Sequence, residues 1–440
     1  MKKKELKGVA LWEKAKKIIP GGSQLLSKRS EMFLPGAWPS YYNKAKGVEI
    51  TDLDGKKYID MSIMSVGACT LGYADPDVNR AVKKVIDDGS ISTLNAPEEV
   101  ELAELLIKIH PWAKMVRYAR TGGEAMAIAV RIARAYTGKD KVVFCGYHGW
   151  ADWYLAANLA NDKSLDGHLL SGLDPAGVPS GLKGTSLTFS YNHIEELEKI
   201  VANNTDIGVI VLEPFRHQEP EDNFLEKVKA IAQKINAVLI FDEITIAWRL
   251  NVGGVHLLYG VSPDIVVLGK AMSNGYPMSA IIGSEEVMQA AQKTFISSTY
   301  WTEKIGPVSA LATIKKMQKN NVPKHLKKIG VLIGDVWKTL AQKHGLNISV
   351  IGPEALITFS FNYGEVNQAL KTLFTQEMLR LGYLASGSVY VSYAHKENHV
   401  KAYLEAVDKV FGLIKKGINN KNINKLLTGQ VAHSGFTRLT

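Results

Sequence analysis

The chain has 440 residues, more than one small hydrophobic core needs, so two or more domains are expected. With 46% apolar and 22% charged residues it has an ordinary globular composition, and no apolar run reaches the roughly 18 residues that span a bilayer. The formal net charge is +10, but the lysines are scattered, without zinc-ligand spacing or an aromatic-basic platform. A basic surface that favours anionic substrates, or a plain solvated surface, is therefore expected in preference to nucleic-acid binding.

The two cysteines, Cys69 and Cys145, lie in segments with a buried pattern, which argues against a disulfide framework. The basic N-terminus, Met1–Lys7, is not followed by the apolar stretch and small-residue cleavage site of a secretory signal. These features predict a cytoplasmic protein that does not act at a membrane.

The first predicted elements are a helix and a hairpin. Apolar residues recur at helical spacing over the first ~20 residues, and Pro20-Gly21-Gly22 ends the helix. The segment Gly47–Asp60 contains two alternating strands around the turn Asp54-Gly55, which is typical of a hairpin.

Between about residues 100 and 285, helix-length segments alternate with short runs that are rich in Val and Ile. These runs are Met115–Tyr118, Lys141–Phe144, Ile207–Leu212, Ala237–Phe241, Ile265–Leu268 and Ser279–Ile282. Because the runs show no alternation, they predict a mostly parallel, doubly wound sheet that helices cover on both faces.

After residue 305 the pattern changes to long helices followed by shorter strands. The predicted elements are helices at Pro307–Lys319 and Pro323–His344, strands at Leu356–Phe361 and Val389–Tyr393, and a last helix from Asn398 to about Lys416. The predicted fold class is α/β. Residues 1–60 form an N-terminal segment that joins the small domain, residues 61–305 the large domain, and residues 306–440 the small α+β domain.

Ligands of doubly wound sheets bind beyond the carboxyl ends of the strands, so the residues that follow each run are candidates for a site. Thr121-Gly122-Gly123 precedes the helical stretch Ala125–Tyr136, and glycines at a helix start let backbone N–H groups approach a phosphate. Tyr147, between Gly146 and Gly149, could lie flat against a planar ligand. Taken alone, each feature also fits a tight turn or an aromatic of the core.

Charged residues follow two further strands. Asp242 comes directly after the Ala237–Phe241 run, where a buried carboxylate needs a cationic ligand nitrogen as partner or caps the next helix. Lys270 follows Gly269 at the end of a run, where a poorly solvated amine is suited to condense with an aldehyde; a lysine that reaches out to the sheet edge is the alternative. A phosphate cradle, an aromatic plate, an acid and a lysine are together what pyridoxal 5'-phosphate (PLP) requires, and they predict a PLP enzyme.

At these residues the sequence resembles the class III aminotransferases of PLP fold type I, and within them the glutamate-1-semialdehyde 2,1-aminomutase subgroup. The resemblance runs from about Trp12 to about residue 415 and implies that the large domain binds PLP. Its motifs are Ile19-Pro-Gly-Gly22, Asp52–Asp60, Leu71–Pro76, Gly122–Ala125, Tyr147-His-Gly149, Leu212-Glu-Pro214, Phe241-Asp-Glu243 and Leu268-Gly-Lys270.

The resemblance implies a role for each matching residue. Lys270 would hold the cofactor as a Schiff base, and Asp242 would face the pyridine nitrogen. Tyr147 would stack on the cofactor ring, with Ile244 on its other side. Glu213 matches an acid near the cofactor that helps to orient the site.

The resemblance also implies a phosphate site that two subunits share. Backbone groups of Gly122 and Gly123 would bind the phosphate. Thr302 matches a threonine that reaches the phosphate of a partner subunit, and Thr299 is the alternative. A homodimer with shared active sites is therefore expected.

Three departures from the family pattern concern the phosphate and the substrate. Arg120-Thr121 replaces the usual residues before the glycines, so the phosphate loses a hydroxyl contact or gains one from Thr121 and charge from Arg120. Lys28, with Arg29 beside it, stands near the position of an arginine that binds the substrate carboxylate in the aminomutase, and lysine cannot form the same bidentate contact. Ser65-Val66 replaces a Ser-Trp pair, which removes a large wall from the pocket.

The predicted function is a PLP-dependent aminotransferase that moves an amino group to a small carbonyl substrate through a Lys270 Schiff base. The overall resemblance supports intramolecular amino transfer of the aminomutase type as the alternative, but the changed carboxylate region favours the intermolecular reaction. A relative that retains PLP without catalysis is a third hypothesis, and the presence of both Lys270 and Asp242 argues against it. No metal site is predicted.

Overall fold

The structure is a computed structural model that describes residues 6–168, 170–215, 217–436 and 439. The chain divides into two compact units. One comprises Met1–Asp75 with Lys324–Thr440, and the other is Pro76–Pro323. The three-part division with boundaries after residues 60 and 305 stays a prediction, and most of the basic N-terminus, residues 1–5, lies outside the described residues.

The elements are numbered along the chain. The strands are β1 Tyr42–Lys46, β2 Glu49–Asp52, β3 Lys57–Met61, β4 Met115–Ala119, β5 Lys141–Cys145, β6 Ser186–Thr188, β7 Ile207–Leu212, β8 Val238–Asp242, β9 Ile265–Leu268, β10 Ser279–Gly283, β11 Ile348–Ile351, β12 Leu356–Phe361, β13 Tyr383–Ala385 and β14 Ser388–Tyr390. The helices are α1 Lys7–Ile18, α2 Pro76–Asp88, α3 Pro97–Ile109, α4 Gly122–Thr137, α5 Asp152–Leu155, α6 Ala157–Ala160, α7 Ile194–Ala202, α8 Phe224–Lys234, α9 His256–Tyr259, α10 Glu285–Met288, α11 Ile305–Asn320, α12 Val322–His344, α13 Asn367–Arg380, α14 Glu397–Asn419 and α15 Ile423–Leu426.

The unit Pro76–Pro323 contains one mixed sheet with the strand order β4-β10-β9-β8-β7-β5-β6. The strands from β9 to β6 are parallel, whereas β10 is antiparallel to both of its neighbours, β9 and β4. The predicted α/β class with a mostly parallel sheet is confirmed. The antiparallel direction of β10 was not predicted, because a fully buried strand has the same apolar pattern in either direction.

Both faces of the central strands are covered, which explains their continuous apolar sequences. All six residues of β7 are buried, and so are the four of β9. Helix α4 contributes a row of small buried side chains, among them Ala125, Ala129 and Ala133, to the same core cluster as β5, β7, β8, β9 and β10. The small side chains let the start of α4 lie close to the strand ends that carry the candidate site.

The other unit contains two small sheets, β1-β2-β3-β13 and β11-β12-β14. The predicted hairpin is formed by β2 and β3, with Ile50 opposite Tyr58. Strand β13 pairs with β3 in parallel, and the β12 sheet is antiparallel. The strand predicted at Val389–Tyr393 is shorter in the structure and ends at Tyr390, although Val391 N still donates to the carbonyl oxygen of Ala355. In the described part of the chain, no helix is both long and apolar enough to cross a membrane.

Candidate active site

The carboxyl ends of β8 and β9 bring the predicted acid and lysine to one edge of the sheet. Asp242 is the last residue of β8 and lies opposite Val267 of β9, to which β8 is parallel. Lys270 follows two residues after the end of β9. Because parallel strands end at the same edge, both side chains belong to the crevice in which doubly wound sheets bind ligands.

Asp242 has a partner that the sequence analysis did not assign. Its side chain is 5% exposed, Oδ1 accepts a hydrogen bond from Ile244 N at 3.1 Å, and Oδ2 lies 2.9 Å from Nδ1 of the buried His148. The other ring nitrogen, Nε2, lies 3.1 Å from the carbonyl oxygen of Cys145. His148 therefore fixes the Asp242 carboxylate from the side of β5.

The amine of Lys270 also has an unforeseen neighbour. Lys270 opens a short 3-10 turn with a left-handed backbone, at φ +42°. Its Nζ donates a hydrogen bond to Oγ1 of Thr245 at 2.8 Å. Thr245 lies three residues beyond Asp242, in the segment after β8, so both candidate catalytic groups contact the same short stretch of chain.

The glycine pair forms the first turn of α4, although the sequence pattern placed the helix start at Ala125. Thr121 is the N-cap, and its hydroxyl is 3.4 Å from Glu124 N and 3.0 Å from Glu124 Oε2. A Cβ at Gly122 would lie 3.0 Å from Cδ1 of Ile244, so a side chain there would have to displace Ile244. The first N–H groups of a helix have no intrahelical partner and suit a phosphate.

Gly123 packs as closely as Gly122, but on a different side. A Cβ at Gly123 would lie 2.8 Å from Nε1 of Trp150, and a Cβ at Gly149 would lie 3.1 Å from Cα of Gly123. Gly149 has φ +103°, which side chains disfavour. The glycines of the two predicted motifs therefore contact each other, and the strand end after β5 lies against the start of α4.

Arg120 is directed away from the cradle. Its side chain is 9% exposed, and Nη2 donates to the carbonyl oxygens of Trp301 at 2.9 Å and Glu303 at 2.8 Å. Nε forms an ion pair with Oε1 of Glu303 at 2.8 Å. Burial lowers the pKa of Arg120, and the charge of Glu303 opposes that shift. The idea that Arg120 supplies charge to the phosphate is therefore not supported by this geometry.

Tyr147 and Glu213 are connected through the backbone. Oε2 of the buried Glu213 accepts a hydrogen bond from Tyr147 N at 3.1 Å, which orients the half-buried Tyr147 ring. Burial and the charges of Asp242 and Glu213 raise the pKa of the Tyr147 hydroxyl. Tyr147 therefore lies within range of the charges of both acids.

Thr299 and Thr302 bound an exposed 3-10 turn before α11. The hydroxyl of Thr302 donates to the carbonyl oxygen of Thr299 at 2.8 Å. Both threonines are exposed, so either can reach a second molecule.

The predicted substrate residues Lys28 and Arg29 differ in their surroundings. Lys28 is exposed. Burial and the charge of Asp60 raise the pKa of Cys69 to about 12, and the charge of Lys28 opposes this shift. Lys28 therefore lies near Cys69. Arg29 is half-buried, and its guanidinium lies 5.7 Å from the ring centre of Phe436, a cation–π contact within its own unit.

Ser65 and Val66 occupy a left-handed turn. The φ angles of Met64, Ser65 and Val66 are +40°, +56° and +55°, and Gly67 follows at +77°. Cys69 N donates to the carbonyl oxygen of Met64 at 3.3 Å, which connects the turn to the segment that follows it. A β-branched residue such as Val66 is rare in this conformation.

Glu243, next to Asp242, holds a buried network behind the site. Its carboxylate accepts hydrogen bonds from the backbone N–H groups of Val255 and His256 and lies 2.6 Å from His256 Nδ1. Trp112 Nε1 donates to His256 Nε2 at 2.9 Å, so His256 is neutral and its Nδ1 donates to Glu243. Glu243, and not Asp242, thus binds the start of α9.

Known proteins resemble the chain over nearly its whole length. The family description "Aminotransferase class-III" matches residues 35–407. A 3-aminobutyryl-CoA aminotransferase from Cloacimonas acidaminovorans is 30% identical over 428 residues, which cover 94% of this chain and 99% of that protein. A glutamate-1-semialdehyde 2,1-aminomutase from Fusobacterium nucleatum is 32% identical, with 92% of this chain and 96% of that protein covered.

The fold is that of solved PLP enzymes. The PLP-bound FumI protein of Sphingopyxis sp. MTA144 superposes with a TM-score of 0.85 at 23% identity, and the match covers 95% of this chain and 99% of that one. The predicted PLP fold type I is confirmed by this likeness. Since class III aminotransferases use PLP and the family match covers most of the sequence, the chain belongs to the class III aminotransferases and is a PLP-dependent enzyme.

Proposed function

We propose that Lys270 holds PLP as a Schiff base and that Asp242 faces its pyridine nitrogen, in an enzyme that transfers an amino group between two small molecules. The observation that carries this proposal is the buried carboxylate of Asp242 at the end of β8, beside the strand that leads to Lys270. A buried carboxylate of this kind is suited to a protonated ring nitrogen.

The residues at the strand ends fit the cofactor. The glycine cradle is tight, because a Cβ at Gly122 would touch Ile244 and one at Gly123 would touch Trp150. Its N–H groups belong to the first turn of the 16-residue helix α4, where the helix dipole favours a phosphate. Ile244, between Gly122 and Gly269, is suited to pack on one face of a planar ring.

Each polar side chain has a definite task in the proposed mechanism. When bound, PLP supplies an electron sink for the carbon that loses its proton. Asp242, held by His148 Nδ1 and Ile244 N, would face the ring nitrogen and retain a proton there. Lys270 Nζ would take a proton from the substrate carbon and pass it to the aldehyde carbon of the cofactor, and Thr245 Oγ1 restrains that nitrogen.

Chemical trapping tests the assignment of Lys270. We expect borohydride to fix the cofactor covalently on the peptide that contains Lys270, and mass spectrometry locates the modified residue. The variant Lys270→Ala should retain no fixed cofactor, whereas Lys141→Ala, which changes a lysine paired with Asp206 at 2.8 Å, should behave like the wild type. Fixed cofactor on Lys270→Ala would show that another lysine holds PLP.

The intermolecular reaction is supported by the surroundings of the predicted substrate residues. Arg29 is engaged with Phe436, so Lys28 is the candidate for an anionic group of the substrate, and lysine lacks the planar fork of arginine. We propose that Lys28, Ser65 and Val66 contact a substrate other than glutamate-1-semialdehyde. We would screen sugar-derived and phosphorylated carbonyls as acceptors, and the name of the 30% identical relative suggests a 3-amino acyl thioester as an amino donor.

Intramolecular amino transfer remains the alternative, because aminomutases are about as similar in sequence as the aminotransferase relative. A donor and acceptor screen separates the two reactions. The aminotransferase should need a separate amino donor to aminate its acceptor. Turnover of glutamate-1-semialdehyde without any added donor would establish the mutase reaction instead.

A homodimer is supported by exposed aromatic side chains near the cradle. Phe295 is 84% exposed, Tyr300 72% and Trp150 70%, and Phe295 and Trp150 line a groove of about 600 Å³ along α4. Apolar surface of this kind is usually covered in an assembly. We expect Phe295→Asp with Tyr300→Asp to halve the mass seen by light scattering, while the exposed Leu258→Asp should leave it unchanged. A wild-type monomer would contradict the homodimer.

A cytoplasmic location is supported by the thiols. Cys69 and Cys145 are both free and buried, as is usual where thiols stay reduced. Fractionation of the source cells, with the protein detected in the cytoplasmic fraction, checks this proposal.

A further inference from the structure

Three arginines bind the backbone of one loop, residues 294–304, which connects the turn that ends at Lys293 to α11. Arg131 Nη1 lies 3.3 Å from the carbonyl oxygen of Phe295, and Arg117 Nη2 lies 2.7 Å from that of Ile296. Arg120 Nη2 binds the carbonyl oxygens of Trp301 and Glu303. These hydrogen bonds satisfy carbonyls at both ends of a segment whose regular structure is one 3-10 turn.

The side chains of the loop point to two sides. Ile296 and Trp301 are half-buried and pack against the core cluster of α4 and the sheet. Phe295 and Tyr300, which precede them, are 84% and 72% exposed. Apolar contacts with the core cluster and hydrogen bonds from the three arginines thus hold the loop. Its aromatic residues Phe295 and Tyr300 and the threonines of its 3-10 turn are exposed to solvent.

Arg120 has the most contacts with the loop. A guanidinium offers five donors in a fixed plane, so one side chain can bind two carbonyls and a carboxylate, which a lysine cannot do. The carboxylate of Glu303 in turn accepts hydrogen bonds from Ile305 N at 2.6 Å and Gly306 N at 2.8 Å, at the start of α11. Arg120 lies in the chain just before Thr121 and the glycine cradle. Its side chain therefore connects the cradle to the end of the loop and, through Glu303, to α11.

We propose that Arg120, with Arg117 and Arg131, is a positioning residue that holds the Thr299–Thr302 turn where it completes the phosphate site of a second subunit. This inference rests on the proposed homodimer and on Lys270 as the cofactor lysine. It explains why this chain has an arginine directly before the cradle although the guanidinium does not point into it. The loop is kept in its binding conformation before the second subunit and the cofactor arrive, so neither has to order it.

Hydrogen exchange of the cofactor-free protein tests the first half of the inference. We expect Arg120→Lys to speed exchange at residues 298–304 by about tenfold, because the loss of two or more hydrogen bonds to a charged group weakens the loop. Arg134→Lys is the matched control, since Arg134 lies on α4 and bonds to the carbonyl of Asp140 instead of the loop. Unchanged exchange in Arg120→Lys would overturn the inference. If Arg120→Lys does not fold, Arg117→Lys provides the same test at residues 295–297.

Mixed dimers test the second half. Subunits with Arg120→Lys should bind PLP at least about tenfold more weakly than the wild type, measured as cofactor that borohydride fixes on Lys270 at limiting PLP. After equal mixing with Lys270→Ala subunits, about half of the Arg120→Lys subunits should regain normal affinity, because each then receives an intact loop from its partner. Recovery of none of them would show that the loop serves its own subunit and would overturn the inference.

The same samples separate this inference from the proposed function. If Lys270→Ala alone retains fixed cofactor, the lysine assignment fails, whereas the exchange data on residues 298–304 keep their meaning. If cofactor is fixed normally on Lys270 in the Arg120→Lys homodimer, the proposed function stands and the positioning role of Arg120 is wrong.

Discussion

At the scale of single residues, Lys270 and Val66 share an unusual backbone conformation. Their φ angles are +42° and +55°, and left-handed conformations of non-glycine residues cost about 1–3 kcal/mol each. Lys270 bears the proposed Schiff base, and Val66 belongs to the proposed substrate region. Both residues are therefore held by their surroundings in conformations that their own side chains disfavour.

Val66→Gly should stabilise the protein. Glycine removes the clash of a β-branched side chain at φ +55°, and this gain exceeds the extra chain entropy of glycine by about 1 kcal/mol. Urea unfolding should show a higher midpoint. Val350→Gly is the control, because Val350 is also half-buried but lies in β11, where glycine should destabilise. A lower midpoint for Val66→Gly would mean that the contacts of its side chain outweigh the strain.

Thr245→Val should impair Lys270 without unfolding the site. Valine has nearly the shape of threonine but removes the oxygen that lies 2.8 Å from Lys270 Nζ. The loss of one hydrogen bond corresponds to about fivefold slower loading of PLP onto the apoprotein, and stopped-flow absorbance measures this rate. Thr245→Ser keeps the hydroxyl and should load at the normal rate. Equal rates for the valine and serine variants would show that the hydroxyl does not restrain the amine.

At the scale of elements, the first turn of α4 matters because it contacts Ile244. Gly122→Ala should favour the helix through propensity but push its Cβ to within 3.0 Å of Ile244 Cδ1. We expect PLP affinity, measured by titration of the apoprotein, to fall about tenfold while the thermal midpoint stays level or rises.

The double variant Gly122→Ala with Ile244→Val supplies the control for this steric explanation. Valine lacks Cδ1, the atom nearest to the added Cβ, so the double variant should recover most of the affinity. If the losses of PLP affinity in the two single variants simply add in the double variant, the contact with Ile244 is not the cause. Gly122 would then matter only because its backbone binds the phosphate.

Some elements could be predicted from sequence because their physical cause is local. The runs that became β7 and β9 have the predicted bounds, since each is an apolar stretch between helical segments. Helix α4 begins at Gly122, three residues before the predicted stretch, because the Thr121 cap and its Glu124 partner offset the low helix propensity of the two glycines. The direction of β10 depends on its partners β4 and β9, about which its own buried sequence carries no information.

The candidate site shows the same limit. Asp242 and Lys270 could be found from their positions after strands. His148 lay inside a recognised motif, yet its contact with Asp242 spans 94 residues, and no spacing in the sequence predicts it. Thr245 could not be singled out, because its role depends on the direction of the Lys270 side chain after a left-handed turn.

At the scale of the whole molecule, buried neutral histidines in both units make stability sensitive to acid. Burial lowers the pKa of His110 to about 4, and it also lowers the pKa of His325 and His395 in the other unit. His110 Nδ1 lies 2.9 Å from the carbonyl oxygen of Leu106, so this nitrogen carries the proton of the neutral ring.

His110→Phe should make stability less dependent on pH. In the wild type the unfolded chain binds a proton at His110 below pH ~6.5 and the folded protein only below about 4, so stability is full above pH ~6.5 and falls as the pH drops towards 4. The free energy of unfolding that is lost in this way amounts to about 3 kcal/mol, and the phenylalanine variant should not lose it. Urea unfolding between pH 7 and 4.5, followed by tryptophan fluorescence, should therefore show the free energy of unfolding falling more steeply with acidification in the wild type than in the variant. His193→Phe, which changes an exposed histidine, should keep the full acid sensitivity, and curves that stay parallel for His110→Phe would show that His110 is not the group that titrates.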